Sequence, residues 1–294
     1  MITRTDFDPI FKRIPVLREI DPSNIRISRL PGYTNNNFRL QGEAIDWVLR
    51  VPKKMTNQYI NRQFETNNVS IAETLGLLPK CYWRDQSGLS LTRTLPGTCP
   101  VNRDDIKKVT VARQLMESVR SLHNCQKKFL GRVDLVELLT RYYRLMPISY
   151  REIAASIYRV AQHKANELSF NDEQLRPSHN DLVLENILID DTGRIWIIDW
   201  EYSSMASPYW DLATICNSFE LNCAQSRDLL ENYLQHTAVK EFDTLMDYRY
   251  VLQVLSICWI ATFTDTDITS KFESLCRNPA FDTVPENTKS NALL

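Results

Sequence analysis

Residues Ser178–Asp211 read SHNDLVLENILIDDTGRIWIIDWEYSSMASPYWD. Ile187-Leu188-Ile189 and Ile195-Trp196-Ile197-Ile198 are apolar runs on either side of Asp190-Asp191-Thr192-Gly193, an acidic turn ending in glycine, so a β-hairpin is expected here. A hairpin brings its outer ends together. Asp181 and Asn186 precede the first strand and Asp199 follows the second, so the three side chains are expected to converge on one edge.

Two carboxylates and an amide gathered in this way suit a metal-bound nucleotide. Phosphoryl transfer requires that Mg²⁺ be held on the phosphates and that one carboxylate meet the incoming hydroxyl. Asp181 fits the second task, and Asn186 and Asp199 fit the first as metal ligands. A polar loop with two Asp and an Asn is usually a solvated turn. Here the joint spacing decides: H-x-D-x-x-x-x-N, an apolar strand pair and then Asp is also the spacing of the protein-kinase catalytic loop and its magnesium-binding Asp.

The surrounding letters differ from those of protein kinases, with no Arg between His179 and Asp181 and with Trp200-Glu201 after Asp199. The segments His179-Asn180-Asp181-Leu182, Ile198-Asp199-Trp200-Glu201-Tyr202-Ser203-Ser204 and Trp210-Asp211-Leu212-Ala213 resemble the choline/ethanolamine kinase branch of the aminoglycoside-phosphotransferase-like kinases. The resemblance implies ATP and Mg²⁺ as cofactors and Asp181 as the base. His179 is then expected to support the loop by hydrogen bonding, and Asp211 to brace it through backbone hydrogen bonds.

Toward the N-terminus, Ile25–Leu30, Phe38–Leu40 and Trp47–Val51 read as strands separated by Pro31–Asn37 and Gly42–Ala44. The first turn holds one glycine, so no glycine-rich phosphate motif is present, but Thr34 and Asn35 offer donors to phosphate oxygens. The phrase resembles the G-x-T-N loop of choline kinase-like proteins, which implies a nucleotide contact at Asn35. Arg50 lies in an otherwise apolar strand and needs a partner or an open face. The resemblance places it as the third-strand cation that meets the α/β-phosphates, with Glu65 of the next helix as its partner and Glu73 as the alternative. Phe64, Ile71 and Leu75 are expected to be the core stripe of that helix. Cys81–Trp83 and Leu89–Leu95 read as two more strands, and the kinase connector is expected around Arg93–Gly97, with Leu95 nearest the adenine.

From Asp104 the periodicity turns helical, with Ile106, Val109, Ala112, Leu115, Val119 and Leu122 on one face. His123 at its end reads as structural. Further helices are expected over Val133–Met146, Tyr150–Leu168, Pro208–Phe219, Ala224–Leu234 and Phe242–Phe263. A small antiparallel sheet followed by a mostly helical lobe is an α+β, bilobal, protein-kinase-like fold, divided as a nucleotide-binding lobe over residues 1–96 and a catalytic and acceptor-binding lobe over residues 97–294.

Composition is compatible with this. The 294 residues are 43% hydrophobic, and no stretch approaches a membrane span of roughly twenty apolar residues. A net charge of −1 gives no electrostatic case for nucleic acid. The first six residues lack an apolar signal region, and the seven cysteines include no C-x-x-C, so reduced thiols and a cytoplasmic location are expected. Only the tail after Asn278 looks loose.

A cationic alcohol acceptor such as choline or ethanolamine calls for aromatic faces and a carboxylate. Candidates are Glu201, Tyr202, Trp210 and Trp259, with Tyr209, Tyr248, Tyr250 and Phe263 expected mainly as core. Where choline kinases often carry Glu two turns after the residue matching Asp211, this chain has Ser218, with Glu220 close by. The leading expectation is an ATP-dependent kinase of an amino alcohol. Alternatives are a thiamine kinase or aminoglycoside phosphotransferase of the same fold, or a pseudokinase scaffold.

Overall fold

The computed structural model describes residues 7–32, 34–43, 45–53, 60–168, 174–264 and 267–276. Tyr33 and Ala44 of the expected turns, the first six residues and the tail after Asn278 lie outside them. Two compact units divide the chain: Met1–Gly131 with Asp181–Ser204, and Arg132–Asn180 with Met205–Leu294. By packing, residues 97–131 and the 181–204 segment group with the sheet in the first unit.

In the first unit, β1 (Arg26–Leu30), β2 (Asn35–Gln41), β3 (Asp46–Pro52), β4 (Cys81–Arg84) and β5 (Ser90–Arg93) form an antiparallel sheet in the order β1-β2-β3-β5-β4. The register sets Phe38 opposite Leu49 and Leu49 opposite Leu91, and all three are buried. Their shared face is covered by a short helix, α1 (Asp8–Arg13), whose neighbour Phe7 meets Phe38 edge-on at 4.9 Å. Burial of each such side chain contributes about 1.5–3 kcal/mol. The ladder continues to Asn35 opposite Pro52, so Asn35 to Asn37 belong to β2 and the preceding turn is shorter than the sequence suggests.

Helix α2 (Arg62–Glu73) starts at Asn61, whose side chain accepts the N–H groups of Gln63 and Phe64. Its inward face is Arg62, Glu65, Asn68, Val69 and Ala72, while Phe64 is exposed and Ile71 and Leu75 are half-buried. The expected apolar stripe is thus not the face this helix buries. Charged and amide side chains can replace it because they satisfy one another.

After the short strand β6 (Cys99–Pro100), a turn at Asp105–Lys107 is closed by the Asp105 carboxylate, which accepts the Asn102 N–H at 2.8 Å. Helix α3 (Val109–His123) therefore begins at Val109 rather than at Asp104. Val109 is exposed, and the buried stripe runs through Val111, Leu115, Met116, Val119 and Leu122. The expected hairpin is present: Ile187 pairs with Ile197 and Ile189 with Ile195, and Gly193 supplies the left-handed residue of its turn at φ +83°. β6 adds a third strand, with Cys99 opposite Ile189.

The second unit is helical: α4 (Leu135–Leu145), α5 (Ile148–Glu167), α6 (Pro208–Ser218), α7 (Cys223–Leu234), α8 (Glu241–Phe263) and α9 (Thr269–Cys276), the last not anticipated from the sequence. Helix α8 is buried along most of its length, and its Arg249 is satisfied by Ser226 Oγ at 2.7 Å, the Leu221 carbonyl at 2.9 Å and Asn217 Oδ1 at 3.0 Å. Among the described residues no helix is long and apolar enough to cross a membrane.

Candidate active site

The hairpin delivers its ends as expected. Asn186 Nδ2 donates to the Asp181 carbonyl and to Asp181 Oδ2, both at 2.9 Å. With the amide nitrogen committed to Asp181, the Asn186 amide oxygen is the atom left to face a cation. Ile198 N–H donates to the Asn186 carbonyl at 2.9 Å, which ties the exit of the second strand to this turn. The next residue, Asp199, has φ +61°, a left-handed conformation that Asp tolerates better than most residues.

That bend aims Asp199 and Glu201 at the sheet. Arg50 on β3 places Nη2 at 2.7 Å from Glu201 Oε2 and 3.4 Å from Asp199 Oδ1, while its Nη1 pairs with Glu65 Oε1. Glu73, the alternative partner, pairs instead with Arg84 at 3.2 Å. Glu65 Oε2 accepts from Arg62 Nη1 at 2.7 Å, and Glu201 Oε2 also receives Asn35 Nδ2 at 2.9 Å. The side chains of Glu65 and Glu201 are 3% and 1% exposed, against 32% for Asp199.

So many carboxylates under partial burial change their acidity. Burial, then the charges of Asp199 and Glu201, push Asp181 up to about 8, against a smaller lowering by the Asn186 hydrogen bond. Asp199 is raised as well, by burial and by Glu201, with Arg50 opposing. Burial works against the charge on Arg50, but Glu65, Asp199 and Glu201 outweigh it and hold the guanidinium protonated. Arg50 Nε is buried with no hydrogen-bond partner among the described residues. Such an orphaned donor costs about 1–3 kcal/mol, and an incoming phosphate oxygen is the kind of acceptor that would relieve it.

Asn35, Arg50, Glu65, Asp181, Asn186, Asp199 and Glu201 are thus brought together in one unit. Leu95 is half-buried in the connector; its carbonyl accepts the Thr98 hydroxyl at 2.7 Å, and its N–H has no partner among the described residues. Tyr202 is half-buried beside Glu201 in sequence. An open concavity in the same unit is lined by Pro100, Asn102, Arg103, Asp104, Leu184 and Glu185. Among the described residues no three His, Cys, Asp or Glu side chains form a metal cage of their own. A cation held here would need ligands from its substrate, as a nucleotide's Mg²⁺ does.

Trp210 and Trp259 belong to the second unit. The Trp210 ring N–H is spent on the Asn180 carbonyl at 3.0 Å, and Trp259 is half-buried with its ring 5.6 Å from Phe263. Asp211 accepts the backbone N–H groups of His179 at 2.9 Å and Asn180 at 2.7 Å. Asp211 and Trp210 therefore clamp the two residues before Asp181, with Asn180 left-handed at φ +66°. Two buried residues escaped the sequence reading. Arg62 was signalled by its i,i+3 spacing from Glu65. Asn68 donates to the carbonyls of Leu130 at 3.0 Å and Ser203 at 2.9 Å and accepts the Leu130 N–H at 2.7 Å, and nothing local announces it.

Comparison with known proteins identifies the family and the fold. Residues 26–244 match the model of the phosphotransferase enzyme family. Protein LicA of Haemophilus influenzae is 30% identical over 237 residues, 77% of this chain and 68% of that protein. Among solved structures, a choline/ethanolamine kinase family protein from Mesorhizobium loti has a TM-score of 0.73 at 25% identity, covering 95% of this chain and 97% of that one. The choline kinase LicA from Streptococcus pneumoniae has a TM-score of 0.76 at 22% identity, covering 94% and 98%, a likeness of fold. The chain belongs to the phosphotransferase enzyme family, with the choline/ethanolamine kinases, and its α+β fold is the kinase-like fold of that family.

Proposed function

We propose that this protein transfers the γ-phosphate of ATP to the hydroxyl of a small amino alcohol such as choline or ethanolamine, with Mg²⁺. The observation that carries the reading is the convergence of the Asp181–Asn186 contact, Asp199 and the Arg50–Glu65 pair within one unit. The donor set fits a nucleotide-bound metal: a carboxylate from Asp199 and the amide oxygen of Asn186 offer hard oxygens. Mg²⁺, when bound, would neutralise phosphate charge. Arg50 would bind the α/β-phosphates, Asn35 would lie beside them, and the Leu95 N–H would donate to the adenine. Residues 1–96 then act as the nucleotide-binding lobe.

Asp181 would orient the acceptor hydroxyl and take its proton. Its elevated proton affinity suits that task, since a base works best when its pKa lies near the working pH. Asp211 and Trp210 hold the preceding backbone in place. Tyr202, Trp210 and Trp259 remain the aromatic candidates, and the kinship with choline and ethanolamine kinases supports a cationic alcohol. With seven cysteines and no C-x-x-C, the cytosol is the compartment we assign.

The test is ATP consumption over choline, ethanolamine, thiamine and an aminoglycoside panel. Selective turnover of an amino alcohol supports the proposal. Selective turnover of thiamine or an aminoglycoside overturns the acceptor, and no turnover with any of them overturns the reading as a kinase of these substrates.

A further inference from the structure

Arg50 is asked to serve two sets of anions. In the folded protein its two terminal nitrogens are engaged by Glu65 and Glu201, with Asp199 at 3.4 Å, yet the proposed function, on which this inference rests, needs the same guanidinium for phosphate oxygens. Were Arg50 the sole cation, turning toward phosphate would leave two nearly dry carboxylates beside each other without a counter-charge. Buried charges stripped of their partner are strongly destabilising.

Arg62 removes that conflict. It sits on the first turn of α2, 7% exposed, with Nη1 at 2.7 Å from Glu65 Oε2 and 3.3 Å from Glu201 Oε2, and Nη2 at 3.4 Å from Asn35 Oδ1. It therefore touches two of the three carboxylates that Arg50 touches: the other oxygen of Glu65 and the same oxygen of Glu201. Gly88, at φ +84° in the turn between β4 and β5, lies so close that a Cβ there would meet Arg62 Cδ at 2.9 Å and Nε at 3.2 Å.

We propose that Arg62 is a positioning residue that keeps Glu65 and Glu201 neutralised while Arg50 engages the nucleotide phosphates. Without Arg62, Arg50 is the one cation among the described residues that pairs with both carboxylates, and they hold it away from phosphate. Arg62 itself makes no contact with the nucleotide in this scheme. Its effect on nucleotide affinity should pass through Arg50.

The test is a double-mutant cycle on the full-length protein, reading ATP affinity by calorimetry in wild type, Arg62→Met, Arg50→Met and the double variant, with melting temperature measured for each. Arg62→Met is expected to weaken ATP by about tenfold, and the double variant to bind within about twofold of Arg50→Met alone. In steady state the KM for ATP should rise while kcat at saturating ATP and the KM for the alcohol stay within about twofold. Arg62→Lys, which keeps the charge, should recover most of the affinity, and Arg62→Gln, which removes the charge but keeps a hydrogen-bond donor, replaces Arg62→Met in the cycle if the Met variant does not fold.

Unchanged ATP affinity in folded Arg62→Met, beside a clear loss in Arg50→Met, overturns the inference and leaves the kinase reading intact. An equal loss from Arg62→Met with or without Arg50 also overturns it, since a merely structural residue gives additive effects. If Arg50→Met itself leaves ATP affinity unchanged, Arg50 does not meet the phosphates, and both the reading and the inference fall.

Discussion

Replacing Asn68 by Ala should loosen the helix that carries Arg62 and Glu65. The Asn68 side chain is fully buried and makes three hydrogen bonds to backbone groups, two with Leu130 and one to the carbonyl of Ser203, in the loop that follows Asp199 and Glu201, and the Asn68 amide oxygen also accepts from Asn67 Nδ2 at 3.2 Å. Truncation leaves one N–H and two carbonyls behind. The orphaned Leu130 N–H, whose bond to Asn68 is part-buried, contributes most, because a donor left unsatisfied away from water costs about 1–3 kcal/mol and carbonyls are more easily accommodated. A total near 3 kcal/mol is a large share of a stability of about 5–15 kcal/mol. At roughly 2–4 °C per kcal/mol for a chain of this class, the melting temperature should fall by about 6–12 °C. The Leu130 amide should also exchange its hydrogen faster in the native protein, a readout local to the broken bond. A fall of less than about 2 °C with Leu130 still protected would refute the bracing role.

Asp181→Asn should lower kcat by about 10²–10⁴ while ATP affinity changes by no more than about threefold, because only the proton acceptor is removed; undiminished turnover would exclude Asp181 as the base. The pH dependence of stability has a definite sign. Asp181 rises in the fold from 3.8 to about 8, so the folded state binds more protons than the unfolded chain between those values. The stability from this group is present below the lower value and lost as pH rises through the upper one. In the presence of a chelator, the melting temperature should therefore drop between about pH 6 and pH 8.5, and Asp181→Asn should flatten that slope. A melting temperature that climbs across the window in wild type would contradict the assignment.

Local chemistry made part of this site legible. The hairpin followed from two apolar runs and one acidic, glycine-ended turn, and its closure alone carries Asn186 and Asp199 to one edge. A lone cation in an apolar strand demands a partner or an open face, and the family resemblance points to Glu65 of the next helix, with which Arg50 pairs. Other features depend on tertiary context. Helix α2 misled because Phe64, Ile71 and Leu75 have helical spacing, yet the buried face is Arg62, Glu65 and Asn68, whose burial is tolerable only through partners distant in sequence. Glu201 could line an acceptor or fix a loop as far as the letters go; the left-handed bend at Asp199 and the cations of β3 and α2 turn it toward Arg50. The start of α3 moved from Asp104 to Val109 because Asp105 caps a separate turn. Helix α1 is too short to show a period, although Phe7 and Phe11 are part of the sheet's core.

The most direct measurement is a crystal structure with Mg²⁺ and a non-hydrolysable ATP analogue. The expected result is one Mg²⁺ at about 2.1 Å from both the Asn186 amide oxygen and an Asp199 carboxylate oxygen, with Arg50 on the phosphates and Asp181 facing the γ-phosphate. A nucleotide bound elsewhere, or a metal that touches neither Asn186 nor Asp199, would contradict it.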